Sequence, residues 1–166
     1  MRRFLTGVLL VLAAGFLTAQ DWGETTIGDM TVRHAVSGND LLISVTAPTT
    51  GWVAIGFEPT RAMRDANILI GYVDRNGEVV VEDHFGNTMI SHQPDERLGG
   101  ETNVTVTGGQ ESGGETTIEF SIPLDSGDEF DRSLTPGRTT SIILAWGASD
   151  NTRIKHRRRY SGTIEL

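Results

Sequence analysis

Two segments of this 166-residue chain carry residues whose types and spacing could do chemistry. The first, Glu58-Pro59-Thr60-Arg61-Ala62-Met63-Arg64-Asp65-Ala66, sets a methionine between two arginines in a connection between strongly apolar stretches. Methionine ordinarily fills gaps in a core, so one set among cations in a loop needs another reason. The second segment, Gly147 to Tyr160, holds Asp150-Asn151-Thr152 and then Arg153-Ile154-Lys155-His156-Arg157-Arg158-Arg159. A histidine inside a run of cations has its pKa pushed down and stays neutral at pH 7, and a neutral imidazole can bind a metal. The plainer readings are a gap-filling Met63 under a loop and a solvated His156 in a basic strand.

Other constellations are weaker. His84 follows Glu82-Asp83 and stands eight residues before His92, so a copper or zinc site can be drawn, but the spacing matches no metal motif. A partly exposed strand histidine is the simpler expectation for His84. Asp125, Asp128, Glu129 and Asp131 form an acidic loop that could hold calcium, yet the loop lacks an EF-hand pattern and reads more simply as solvated. Ser91-His92 and Asp95-Glu96 suggest no triad, and there is no Gly-x-Ser-x-Gly elbow. The absence of cysteine rules out disulfides, thiolate zinc, cysteine-held iron–sulfur clusters, a cysteine nucleophile and thioether-linked haem. With 14 Lys+Arg against 22 Asp+Glu, the net charge of −8 argues against nucleic acid as a partner.

The elements that must position these residues come in two parts. Met1-Arg2-Arg3, the uncharged apolar stretch Phe4 to Leu17, and Thr18-Ala19-Gln20 follow the three-part order of a secretory signal peptide cleaved after Ala19. The apolar stretch falls short of the ~20 residues a spanning helix needs. Residues 1–19 are therefore expected to direct export to the periplasm or the medium, leaving no membrane span in residues 20–166. From Thr31 onward, short runs rich in Val, Ile and Thr alternate with Gly, Asn, Asp and Pro. They place strands at Thr31–Val36, Leu41–Ala47, Trp52–Phe57, Asn67–Val73, Glu78–Phe85, Asn103–Thr107, Glu115–Ile122, Thr139–Trp146 and Ser161–Leu166. The expectation is one all-β domain over residues 20–166, an antiparallel immunoglobulin-like β-sandwich of roughly nine or more strands. Gly108 to Gly114 reads as a flexible hairpin tip.

At this point the residues resemble a family. Gly51-Trp52-Val53-Ala54-Ile55-Gly56-Phe57, then Met63-x-x-Ala66, then Gly71-Tyr72-Val73-Asp74-x-x-Gly77-x-Val79 is similar to the DOMON domain. Ile142-Ile143-Leu144-Ala145-Trp146-Gly147 followed by His156-x-x-Arg159 fits its C-terminal half, so the resemblance runs over about residues 28 to 166. It implies an extracytoplasmic β-sandwich that binds either b-type haem or sugars. The haem-binding branch resembles the cytochrome domain of cellobiose dehydrogenase, with an early-loop Met and a late His as axial ligands. Carried over by position, these are Met63 and His156; Tyr72 and Trp146 are expected either as walls of the pocket or as plain core. Arg61, Arg64, Arg157 and Arg159 are the expected partners of the haem propionates, to which a planar guanidinium is well matched. The resemblance implies a one-electron carrier with non-covalent haem b and no catalytic site of its own. A dehydrogenase or a membrane quinol system would be its redox partner. The alternative is a carbohydrate- or small-ligand-binding module without haem.

Overall fold

Period-two alternation dictates the strands of the computed structural model, which describes residues 21–166. The expected signal peptide, residues 1–19, lies outside the described residues. The strands are β1 (Gly23–Ile27), β2 (Met30–Ser37), β3 (Asp40–Ala47), β4 (Val53–Phe57), β5 (Asn67–Val73) and β6 (Val79–Phe85). They continue with β7 (Gln93–Pro94), β8 (Thr105–Ser112), β9 (Glu115–Pro123), β10 (Thr139–Trp146) and β11 (Arg158–Glu165). One short helix, α1 (Asp95–Leu98), follows β7. All strand pairs are antiparallel, in two sheets of order β1-β2-β3-β9-β8 and β11-β10-β4-β5-β6-β7. The fold is the expected all-β sandwich. Among the described residues no helix is long and apolar enough to cross a membrane.

The core lies between the sheets. Val32, Ile43, Val45, Ile118 and Phe120 from the five-stranded sheet meet Val53, Ile55, Phe57, Leu69, Ile142 and Leu144 from the other. Fully burying each such side chain contributes about 1.5–3 kcal/mol. In β9, Ile118, Phe120 and Ile122 point inward while Glu119 is exposed, so one face of that sheet meets water. Strand β4 is different: all five of its residues are buried, and six of the seven in β5 are. A strand buried on both faces must be covered on its outer side as well.

Three sequence expectations change. Strand β1 precedes the first expected strand, pairing Gly23–Ile27 with β2; as a polar edge strand with one Ile it lacks an apolar alternation signal. Gly108 and Gly109 do not form a hairpin tip, because β8 continues through Ser112 with a bulge between Val106 and Gly108. A Cβ on Gly109 would press on the Thr117 carbonyl and on Val79, so the glycine there permits close packing of backbone. Strand β11 begins at Arg158, which moves Arg158, Arg159 and Tyr160 from the expected loop into a sheet.

Candidate functional site

The outer face of the six-stranded sheet is built from two cross-strand rows. Register places Arg159 opposite Ala145, Ala145 opposite Ala54, Ala54 opposite Ile70 and Ile70 opposite Glu82. The neighbouring row runs Ser161, Ile143, Gly56, Ile68, His84 and Pro94. The first row is apolar in its centre and charged at both ends, and the second has its apolar centre between Ser161 and His84. Ala54, Ile68 and Ile70 are buried although they face away from the sandwich core, because three connections fold over them. The result is a groove of about 1220 Å³, covered by the connections that carry Met63, Met89-Ile90 and Thr152 to His156. Ile90 and Ile154 stand at its lips, 86% and 54% exposed.

Met63 reaches the groove from a tightly determined loop. Glu58, Ala62 and Asp65 all hold positive φ, at 50°, 53° and 63°, a costly conformation for residues with a Cβ. Several hydrogen bonds hold it in place. The Asp65 N–H donates to the Gly86 carbonyl at 2.7 Å, the Gly86 N–H to the Ala66 carbonyl at 2.9 Å, and the Ala66 N–H to the Met63 carbonyl at 3.1 Å. Thr60 Oγ1 donates to Asp65 Oδ2 at 2.5 Å, and Arg132 Nε donates to the Asp65 carbonyl at 2.5 Å.

His156 arrives from the other side. The Gly147 N–H donates to the Trp52 carbonyl at 2.9 Å, the Trp52 N–H to the Ser149 carbonyl at 3.1 Å, and the Arg157 N–H to the Trp146 carbonyl at 2.7 Å. These bonds lock both ends of the 147–157 connection onto the end of the sheet. Thr152 Oγ1 crosses the groove to Glu82 Oε2 at 3.2 Å. Partial burial pushes the His156 pKa down, and Arg159 and Lys155 push the same way. The imidazole is therefore neutral at pH 7 and can offer a nitrogen lone pair.

The structure brings Met63, His156 and Arg159 into one groove. Arg153, Lys155 and Arg97 also line it, the last from α1. Arg64 and Arg157 are exposed and lie outside the lining, and Arg61 lines a separate, shallower depression with Ser141 and Thr163. Tyr72 packs at the end of the outer face against Trp52, Ala54 and Ile70. Burial there and nearby Glu82, Asp150 and Asp74 raise its phenol pKa. Trp146 points the opposite way, into the core between the sheets, where its Nε1 donates to Asp29 Oδ1 at 3.0 Å.

Sequence reasoning missed a histidine pair in the same groove. His84 is 6% exposed rather than partly solvated, and its Nδ1 lies 2.9 Å from His92 Nδ1. Its Nε2 lies 2.9 Å from Glu82 Oε2, a carboxylate that can only accept. With Nε2 of His84 donating, its Nδ1 accepts, so His92 Nδ1 is the donor and His92 Nε2 keeps its lone pair. Burial lowers the pKa of both rings, that of His92 to about 4, with His84 as the second cause there. The eight-residue spacing carries no signal for this contact, because the β6–β7 pairing creates it.

A DOMON domain model matches residues 26–147. The chain is 31% identical over 113 residues to mouse DBH-like monooxygenase protein 1 and 29% identical over the same length to its human counterpart. Each alignment covers 68% of this chain and 18% of the relative, so the chain spans about a fifth of those proteins. Among solved structures it is similar to the cytochrome domain of Myriococcum thermophilum cellobiose dehydrogenase. The TM-score is 0.62 at 10% identity, covering 82% of this chain and 74% of that one.

Proposed function

The chain belongs to the DOMON domain family, and on that premise we propose that it is an extracytoplasmic b-type haem module for one-electron transfer. The observation that carries the reading is the convergence of Met63 and His156 on one groove with an apolar floor. Thioether and imidazole are a donor pair suited to haem iron, and the floor of Ala54, Ile68, Ile70, Ile143 and Ala145 suits a flat apolar macrocycle. Arg159, Arg153, Lys155 and Arg97 line the same groove and can pair with two propionates. The likeness in fold to a cytochrome domain, a haem protein by name, is consistent with this. In a chain without cysteine the hold is non-covalent.

When bound, the haem would supply a reversible one-electron couple. The chain's own residues do the rest. Met63 and His156 would hold the iron of the haem, a thioether–imidazole ligation that would disfavour oxygen activation and raise the potential. The strained loop holds Met63 in place before any ligand arrives, and neutral His156 pays no deprotonation cost. The exposed Ile90 and Ile154 at the lips place the groove near the surface, where a dehydrogenase or membrane quinol system could exchange electrons.

Absorption spectra test the reading. The chain purified with haem should show a Soret band that shifts on reduction, with low-spin visible bands. His156→Ala should lose most of the haem, and Met63→Ala should keep it with one coordination position open and a lower potential. A wild-type chain that stays colourless in the presence of haem returns the groove to the carbohydrate reading. Low-spin spectra unchanged in both variants would assign the iron to other side chains, with His92 the first to examine.

A further inference from the structure

On the opposite face of β5 and β6 from the groove, three carboxylates are buried together. Asp83 from β6, Asp95 from α1 and Asp131 from the connection after β9 each bring an oxygen to within 4.8 Å of the other two. Asp95 is 0% exposed and Asp83 4%. No ion pair among the described residues involves any of the three. Asp83 Oδ1 and both oxygens of Asp95 have no hydrogen-bond partner. Burying such groups costs several kcal/mol each unless something compensates them.

A second observation is independent of the acids. Asn67, the first residue of β5, is 3% exposed and turns its amide into the cluster, where Nδ2 donates to Asp131 Oδ1 at 2.5 Å. Its Oδ1 has no partner. Asn103, whose N–H donates to Asp83 Oδ2 at 2.8 Å, carries another buried, unpartnered amide oxygen. A neutral amide oxygen left without a donor, together with carboxylate oxygens left without donors, makes a set of buried acceptors that nothing compensates.

We propose that Asp83, Asp95, Asp131 and Asn67 form a calcium site, with Asn103 at its edge. The donors are all oxygen, which selects a hard cation over zinc or copper. Calcium takes 6–8 oxygens at about 2.3–2.6 Å, and oxygens no more than 4.8 Å apart are within reach of one such centre. The ion would tie together the start of β5, the end of β6, α1 and the 124–138 connection. Since Asn67 directly follows the Met63 loop, the site would also brace the base of that loop.

The test is independent of haem. The haem-free chain, stripped with a chelator, is titrated with calcium chloride by calorimetry and by thermal unfolding. The expected result is one binding event and a rise of several degrees in Tm. Asp95→Asn and Asp131→Asn should each weaken calcium binding at least about tenfold, whereas Asp125→Asn, on the exposed part of the same connection, should leave it unchanged. If Asp95→Asn does not fold, Asp131→Asn decides. No heat and no change in Tm up to about 10 mM calcium would overturn the proposal, as would wild-type affinity in the Asp131 variant.

Discussion

Gly86 lies directly beneath the carbonyl of Met63, so close that no side-chain carbon fits on it. The glycine is required by that approach, since its N–H and C=O also bond Ala66 and Asp65 at 2.9 and 2.7 Å. Gly86→Ala must therefore push the Met63 loop away from β6. The expected outcome is a loss of about 1–3 kcal/mol in chemical denaturation, together with weaker sixth-ligand binding in the haem spectrum, although no ligand has been removed. A variant with wild-type stability and spectrum would show that the loop position is immaterial.

Arg157 and Arg159 are two residues apart in one basic run, yet only Arg159 lines the groove. Arg159→Gln is expected to speed haem loss several-fold, and Arg157→Gln to leave it near wild type. Haem transfer to apomyoglobin measures both rates. Equal effects would assign the cations a general electrostatic role in place of a local one.

The strands were readable because each needs only local information. Ile118, Phe120 and Ile122 alternate with polar residues, and Arg75-Asn76-Gly77 marks a turn. The consecutive Ile68-Leu69-Ile70 already hinted at a strand buried on both faces, the property that makes the groove possible. The meeting of Met63 with His156 was not readable from spacing; only the order of motifs in the family suggested it. The carboxylate cluster left still less trace. Asp131 looked like one member of a solvated acidic loop, and Asp83 and Asp95 lie on other elements. Only the sandwich topology brings the three together, and their burial has no signature in composition.

Trp146 illustrates a residue whose neighbours matter more than its motif. Alternation along β10 points Ile143 and Ala145 into the groove, and Leu144 and Trp146 into the core. Trp146→Phe should therefore cost about 1–2 kcal/mol, from lost packing and the lost bond to Asp29, without altering the haem spectrum. A shifted Soret band in this variant would contradict that separation.

The histidine pair predicts an acid sensitivity. Folded His92 takes up its proton at about 4, because burial and neighbouring His84 oppose the charge more than Glu82 favours it. In the unfolded chain it does so near 6.5. Between these values the unfolded state binds more protons, so stability rises with pH across that window. Neutral His92 contributes fully above pH 6.5, and the contribution is lost as the pH falls toward 4. Other groups titrate in the same range, so the quantity to measure is the difference between wild type and His92→Gln, which cannot be protonated. Discounted for the ring's partial exposure, that difference should move by about 2 kcal/mol against wild type between pH 7 and pH 4. Glu82→Gln removes the charge that favours a protonated His92 while keeping an acceptor for His84 Nε2, so it should lower the His92 value further. Denaturation curves that run parallel for wild type and His92→Gln across the whole window would place the His92 ring in contact with solvent.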